Sequence, residues 1–211
     1  MNRVLTWVFF IGVLALVTYG TIQVIQQQNP PPPAQNEIVE SETGEFTSTT
    51  YGFSVRYDTA LIASTTFART YLLAENWSLD APMAQRTGDP VVAFIYPGSN
   101  EVLAAELRVG VSEEPSEVEK CMVPPPYAWD VTQGSIGGVP AVVYTRSDAA
   151  LSHFLQANVY RVLHEDRCIS LELIVTGTNP EVYDPPRSVP FAREAARQEL
   201  SGVVRSFAFV R

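Results

Sequence analysis

The 211-residue chain carries 14 lysines and arginines against 23 acidic residues, a formal charge of −9, with 46% hydrophobic residues and only two cysteines. Arg3 is the one basic residue ahead of a long apolar run, so everything that follows is more acidic still. No basic stripe is left to neutralise phosphates, which argues against nucleic acid as a partner, and the acidic body is repelled by an anionic bilayer.

From Val4 to Ile25 no side chain is charged. At ~1.5 Å per residue a helix of that length spans roughly 33 Å, enough to cross a ~30 Å hydrocarbon core. Residues 1–25 are therefore expected to be a membrane anchor. Arg3 ahead of it and Glu37, Glu40, Glu42 and Glu45 behind it favour an N-inside orientation, with the body of the chain extracytoplasmic. A cleaved signal peptide and a buried helix are the competing readings. The first is weakened by the lack of an A-x-A cleavage pattern. Residues 26–45, with four consecutive prolines at 30–33, read as a polar tether that favours extended polyproline conformation.

Residues 46–211 then form one extracytoplasmic domain, large enough to bury about 70% of the surface of its extended chain. Phe53, Val55 and Tyr57 alternate with Ser54 and Arg56, the period of a strand, and Gly52 loosens its entrance. The stretch from Ser64 to Trp77 is ambiguous, since Phe67, Tyr71 and Ala74 suit a helix face while its threonines suit a strand. Asp89 to Gly98 reads as a strand ended by Pro97 and Gly98, and Glu101 to Val111 as the next. Pro115 suits the first turn of a helix, flanked by Ser112 or Glu114, and the glutamates around it suit the positive amide dipoles there. The segment from Pro124 to Asp130 is expected to be a loop in which Tyr127 and Trp129 pack as lids over the core.

Beyond it, Gly137-Gly138 makes a turn into a strand that places Val139, Ala141 and Val143 on one face, with Pro140 marking an edge or an entrance. The strongest pair follows: Phe154 to His164 and Cys168 to Gly177, joined by a short connection through Glu165 and Asp166. Ile169, Leu171, Leu173 and Val175 share one face of the second member, and Glu172 points the other way. Near the end the period lengthens to that of a helix, with Phe191, Ala195, Leu200, Val203 and Val204 as its apolar face and Ser188 as a candidate cap. Ser206 to Val210 can return to the sheet as a last strand. Long hairpins without sustained βα alternation give an α+β domain with a central antiparallel sheet.

The order YGFSVRY, GGVPAVVY, CISLELIVTG and a last helix running into VVRSFAF resembles the Mog1/PsbP-like superfamily across residues 46–211. The resemblance implies an α/β/α sandwich around an antiparallel sheet. It also implies a noncatalytic binding or assembly module more readily than an enzyme, engaging some extracytoplasmic protein. The aromatic of the first strand is often followed by proline in such proteins, whereas Asp58 follows Tyr57 here.

Cys121 and Cys168 are expected to pair as a structural disulfide, since an extracytoplasmic compartment permits one and closing so long a loop contributes about 4 kcal/mol in the chain-entropy model. Two buried free thiols are the other reading. His153 and His164 are the only histidines. His164, Glu165, Asp166 and Cys168 form the best local set of metal-capable atoms, but around a tight turn that suits polar residues without a metal. His153 beside Ser152 and Asp148 could be drawn as a hydrolytic group, yet adjacency supplies no geometry. An exported hydrolase or metal-binding protein using either histidine is the alternative function. Ser135 lies outside any G-x-S-x-G pattern, and no P-loop or dinucleotide fingerprint occurs, so no cofactor is expected. Asn76-Trp77-Ser78 fits a glycosylation acceptor, a pattern that also arises by chance.

Overall fold

The computed structural model describes residues 42–210 apart from 69, 71, 83 and 84. The expected anchor and most of the tether lie outside the described residues, as does Tyr71. Among the described residues no helix is long and apolar enough to cross a membrane.

The antiparallel architecture expected from the hairpins is present. A three-stranded sheet has the order β1 (Thr43–Ser48), β2 (Phe53–Asp58) and β10 (Ala208–Phe209). The seven-stranded sheet comprises β3 (Ile62–Ser64), β4 (Asp89–Ile95), β5 (Leu103–Ser112), β6 (Trp129–Ile136), β7 (Val139–Ala150), β8 (His153–His164) and β9 (Arg167–Thr178). Its order is β3-β4-β5-β9-β8-β7-β6, so the short β3 and the longer β6 are its edges. Two α-helices, α1 (Pro115–Lys120) and α2 (Arg193–Ser206), and a 3-10 turn at Pro180–Val182 complete the described elements.

The strand period decides the two faces. One face of the large sheet carries Leu107, Val109 and Val111 of β5 beside Ile169, Leu171, Leu173 and Val175 of β9. These join Phe53 and Val55 of β2 and Leu200, Val203 and Val204 of α2 in one apolar cluster. Burial of that many branched and aromatic side chains, each worth about 1.5–3 kcal/mol, is what fixes the register.

Several boundaries differ from those expected. Strand β1 takes in the last residues of the segment read as tether, pairing Glu45 with Arg56. Of the segment from Ser64 to Trp77, Ser64 ends β3, and the described residues from Thr65 on are neither helix nor strand but part of a long irregular loop, whose Phe67, Leu73 and Trp77 are buried. The loop after α1 ends earlier than expected: β6 begins at Trp129, because the Gly137-Gly138 turn, with φ of +57° and +81°, folds this segment back on β7. In α2 the buried face is Ala196, Leu200, Val203 and Val204, with Ala195 exposed. The helix is preceded by Ala192 and has no side-chain cap, so Ser188 does not serve as one; Phe191 packs on Tyr96 ahead of the helix. On the other face the described residues of the 65–88 loop pack against the sheet, and α1 is tied to the same face through Cys121 and Cys168 of β9.

Candidate functional site

The second face of the large sheet is lined with charge. Arg108 of β5 stands opposite Glu172 of β9, and Glu172 opposite Val159 of β8, which in turn faces Tyr144 of β7. One row along, Ser170 stands opposite Arg161. These side chains are withdrawn from water, and Glu172, Arg108, Arg161 and Tyr144 bond residues of the 65–88 loop. Glu172 accepts from the Ser78 hydroxyl at 2.7 Å, from the Leu79 amide at 2.9 Å and from the Ser170 hydroxyl at 3.0 Å. Arg108 pairs with Glu106 at 2.7 Å and donates to the carbonyls of Ala74 and Ala68, its guanidinium lying over Phe67. Asp80, carried by the loop, meets Arg146 at 3.0 Å and Arg161 at 3.3 Å and accepts the Tyr127 and Tyr144 hydroxyls.

Burial pushes the Glu172 carboxyl above its usual range, and the neighbouring Asp80 charge adds to this against the opposing pull of Ser78, Leu79 and Arg161. Glu106 is also raised, by burial first, with Arg108 opposing. The Tyr144 hydroxyl is raised for the same first reason. The seam works as a clamp: buried charges are weak sources of net stability, and their hydrogen bonds hold the loop in place, although Arg161 Nε is buried without a partner.

That clamp absorbs the glycosylation pattern. Ser78 is buried and holds Glu172, Trp77 is buried beside Arg161, and the amide of Asn76 donates to the Pro82 carbonyl. Asn76 with Thr65, Thr66, Glu75, Gln85 and Arg86 lines an open polar cavity of about 510 Å³. Its lining lacks the apolar walls with a few convergent polar groups that small-ligand sites show.

The histidine candidates are separated. His164 packs its ring on Phe209, with centroids 3.9 Å apart, and its Nε2 is 4.0 Å from Glu165. Cys168 lies at disulfide distance from Cys121, with S–S 2.15 Å and Cα–Cα 5.4 Å, so its sulfur is engaged away from His164. Among the described residues no three His, Cys, Asp or Glu side chains gather as a metal site. His153 lies across from Thr178, Nδ1 to Oγ1 2.9 Å, at a cavity of about 130 Å³, while the Ser152 carbonyl accepts the Asn179 amide at the hairpin tip.

The accessible surface that stands out is the approach to β6 and β6 itself. Val123, Tyr127, Trp129 and Val131 are exposed along a segment stiffened by Pro124, Pro125 and Pro126. Trp129 is 47% exposed and Val131 46%, so the expected packing of Trp129 as a lid is corrected, whereas Tyr127, also exposed, keeps its hydroxyl on Asp80 and its ring against Arg146. Every residue of β6 except Ile136 is exposed, and β6 pairs on one side only. Sequence reasoning missed this edge because WDVTQGSI has little alternation. It also missed the clamp, whose signal was present as charged residues at single positions of otherwise apolar strands, Arg108, Arg161 and Glu172.

No family model matches the chain, and no curated protein matches it. Among solved structures it is similar to PsbP (CyanoP) from Synechocystis sp. PCC 6803, with 12% identity and a TM-score of 0.43 over 85% of this chain and 99% of that one. It is also similar to a protein from Bacteroides thetaiotaomicron VPI-5482, with 10% identity and a TM-score of 0.42 over 79% of this chain. The chain spans about half of that second protein, 48% of its length. Neither likeness brings a function to this chain.

Proposed function

We propose that the chain is a membrane-anchored, noncatalytic binding or assembly module of Mog1/PsbP-like kind that engages another extracytoplasmic protein. In this reading Val4–Ile25 is a single-pass, N-inside anchor in the lipid bilayer, and residues 26–41 hold the domain away from the membrane. The observation that carries the reading is the uncovered edge strand β6 with its aromatic approach: seven of its residues face water, and Trp129 and Tyr127 are the residue types that anchor protein interfaces.

The test is in-cell photocrosslinking from position 129 of the full chain, with position 47 on the other sheet as control. A discrete protein adduct from 129 and none from 47 supports the reading. Equal labelling from both positions removes β6 as the docking surface.

A further inference from the structure

We propose that the seat of Asp80 is a carboxylate-binding site that the chain closes with a side chain of its own, so that Asp80 stands in for the carboxylate of a ligand arriving from outside. The Asp80 side chain is 6% exposed, and four donors converge on it, two on each oxygen. Tyr127 and Arg146 donate to Oδ1, each at 3.0 Å, and Tyr144 and Arg161 donate to Oδ2. None of the four belongs to the 65–88 loop. Tyr144 and Arg146 are two apart on β7 and so share a face, and Arg161, paired with Val142, lies on the same face of β8. Both strands are interior to the sheet, so three of the donors stay assembled whether or not the loop fills the seat.

Two observations separate this arrangement from an ordinary internal ion pair. The loop has anchors that do not pass through Asp80, since Glu172 holds Ser78 and Leu79, and Arg108 holds the carbonyls of Ala68 and Ala74. Asp80 can therefore leave the seat without freeing the loop. It is also an imperfect occupant. Its one contact with Arg161 is to Nη2 at 3.3 Å, a nitrogen shared with the Ser78 hydroxyl, while Nε, on the same edge of the guanidinium, is buried without a partner. A carboxylate free of the loop can take Nε and Nη2 together, the paired geometry that guanidinium groups favour. The way in runs past Tyr127, which is 57% exposed and lies against Arg146. Two guanidinium groups facing one seat require an anion there, because an unpaired charge in so dry a place is costly. Ligand and Asp80 therefore compete, and the apparent affinity is reduced to the fraction of molecules in which Asp80 is out.

The experiment is calorimetric titration of the full chain in detergent micelles. The probes are acetate and a capped peptide whose one carboxylate is an aspartate side chain, each against sodium chloride at equal ionic strength. Asp80→Ala should bind a probe and regain with it the Tm that the substitution costs, and wild type should bind the same probe about tenfold more weakly. Arg146→Met added to the alanine variant should abolish the binding. Acetate bound and the peptide refused assigns the seat to a small free carboxylate, whereas the peptide bound as well as acetate assigns it to an acidic side chain of a partner. Asp80→Asn keeps the shape and gives up the charge, so it should bind more tightly than wild type, and it decides the matter where the alanine variant does not fold. Equal binding by wild type and the position-80 variants overturns the proposal, as does binding by none of them. So does a wild type that binds nothing at about a hundred times the concentration that half-saturates the variant, which reduces Asp80 to a structural ion pair. The site stands or falls apart from docking at β6, since no donor lies on that strand.

Discussion

Glu172 and Ser78 are hydrogen bonded at 2.7 Å across 94 positions of sequence, tying an interior strand to the middle of an irregular loop. Because Glu172 also holds the Leu79 amide, removing its carboxylate strands two loop donors beside two arginines. Glu172→Ala is expected to cost about 3 kcal/mol in urea unfolding and to shift Trp77 emission to the red as the loop lifts.

Glu172→Gln separates charge from shape. The folded-state carboxyl is raised, chiefly by burial, so the proton favours the folded form. That contribution is fully present below the ordinary carboxylate range, about 4, and is lost as pH rises through the raised value. Wild type should therefore lose stability relative to the glutamine variant as pH rises from about 4. Glu106 is raised in the same direction but is present in both proteins, so it cancels in the difference. A difference that stays flat with pH would show that the Glu172 carboxyl titrates alike in the folded and unfolded chain, so that burial does not raise it.

Cys121 and Cys168 are separated by 47 positions, and both sulfurs are buried beside Trp77 and Ala81. Closing that loop contributes about 4 kcal/mol in the chain-entropy model, so reductant should lower Tm by roughly 10 °C in a domain of this size. Thiol titration after unfolding without reductant is expected to find no free thiol, and two equivalents would remove the bridge from the account.

The elements legible in the sequence are those whose period is enforced by one apolar face. Ile169, Leu171, Leu173 and Val175 announced β9, and Leu200, Val203 and Val204 announced α2, because each of these side chains is buried in the same cluster. The 65–88 loop was illegible for a physical reason: it is held by individual buried polar contacts, Ser78 to Glu172 and Ala74 to Arg108, which impose no period. Trp129 was misread because aromatic content alone does not say whether a strand lies in the middle of a sheet or at its edge. The edge was decided by β7 pairing with β8 on its far side.

The β8–β9 hairpin turns through Glu165 and Asp166, both at positive φ, +50° and +57°. This turn demands left-handed backbone at two consecutive positions, which costs a residue with a Cβ about 1 kcal/mol each and which asparagine and glycine accept more readily. Glu165→Asn with Asp166→Gly should raise Tm by about 3 °C, read by thermal unfolding, with His164 still packed on Phe209. A fall in Tm would mean that the Arg167 contact to Glu165, 3.8 Å, matters more than the backbone.

Gly110 shows how closely the loop sits on the sheet. It lies in β5 on the charged face, opposite Ser170, and a Cβ built there would fall 1.8 Å from the Trp77 carbonyl oxygen. Since the obstacle is backbone, no rotamer change relieves it. Gly110→Ala must lift residues around Trp77, loosening the Ser78 and Leu79 bonds to Glu172, and is expected to cost about 2 kcal/mol. Gly134→Ala is the control, because its Cβ would meet only a Val143 methyl at 3.2 Å, which can yield; a change within about 0.5 kcal/mol is expected. Equal tolerance of the two alanines would place the loop farther from the sheet and remove the close contact on which the clamp depends.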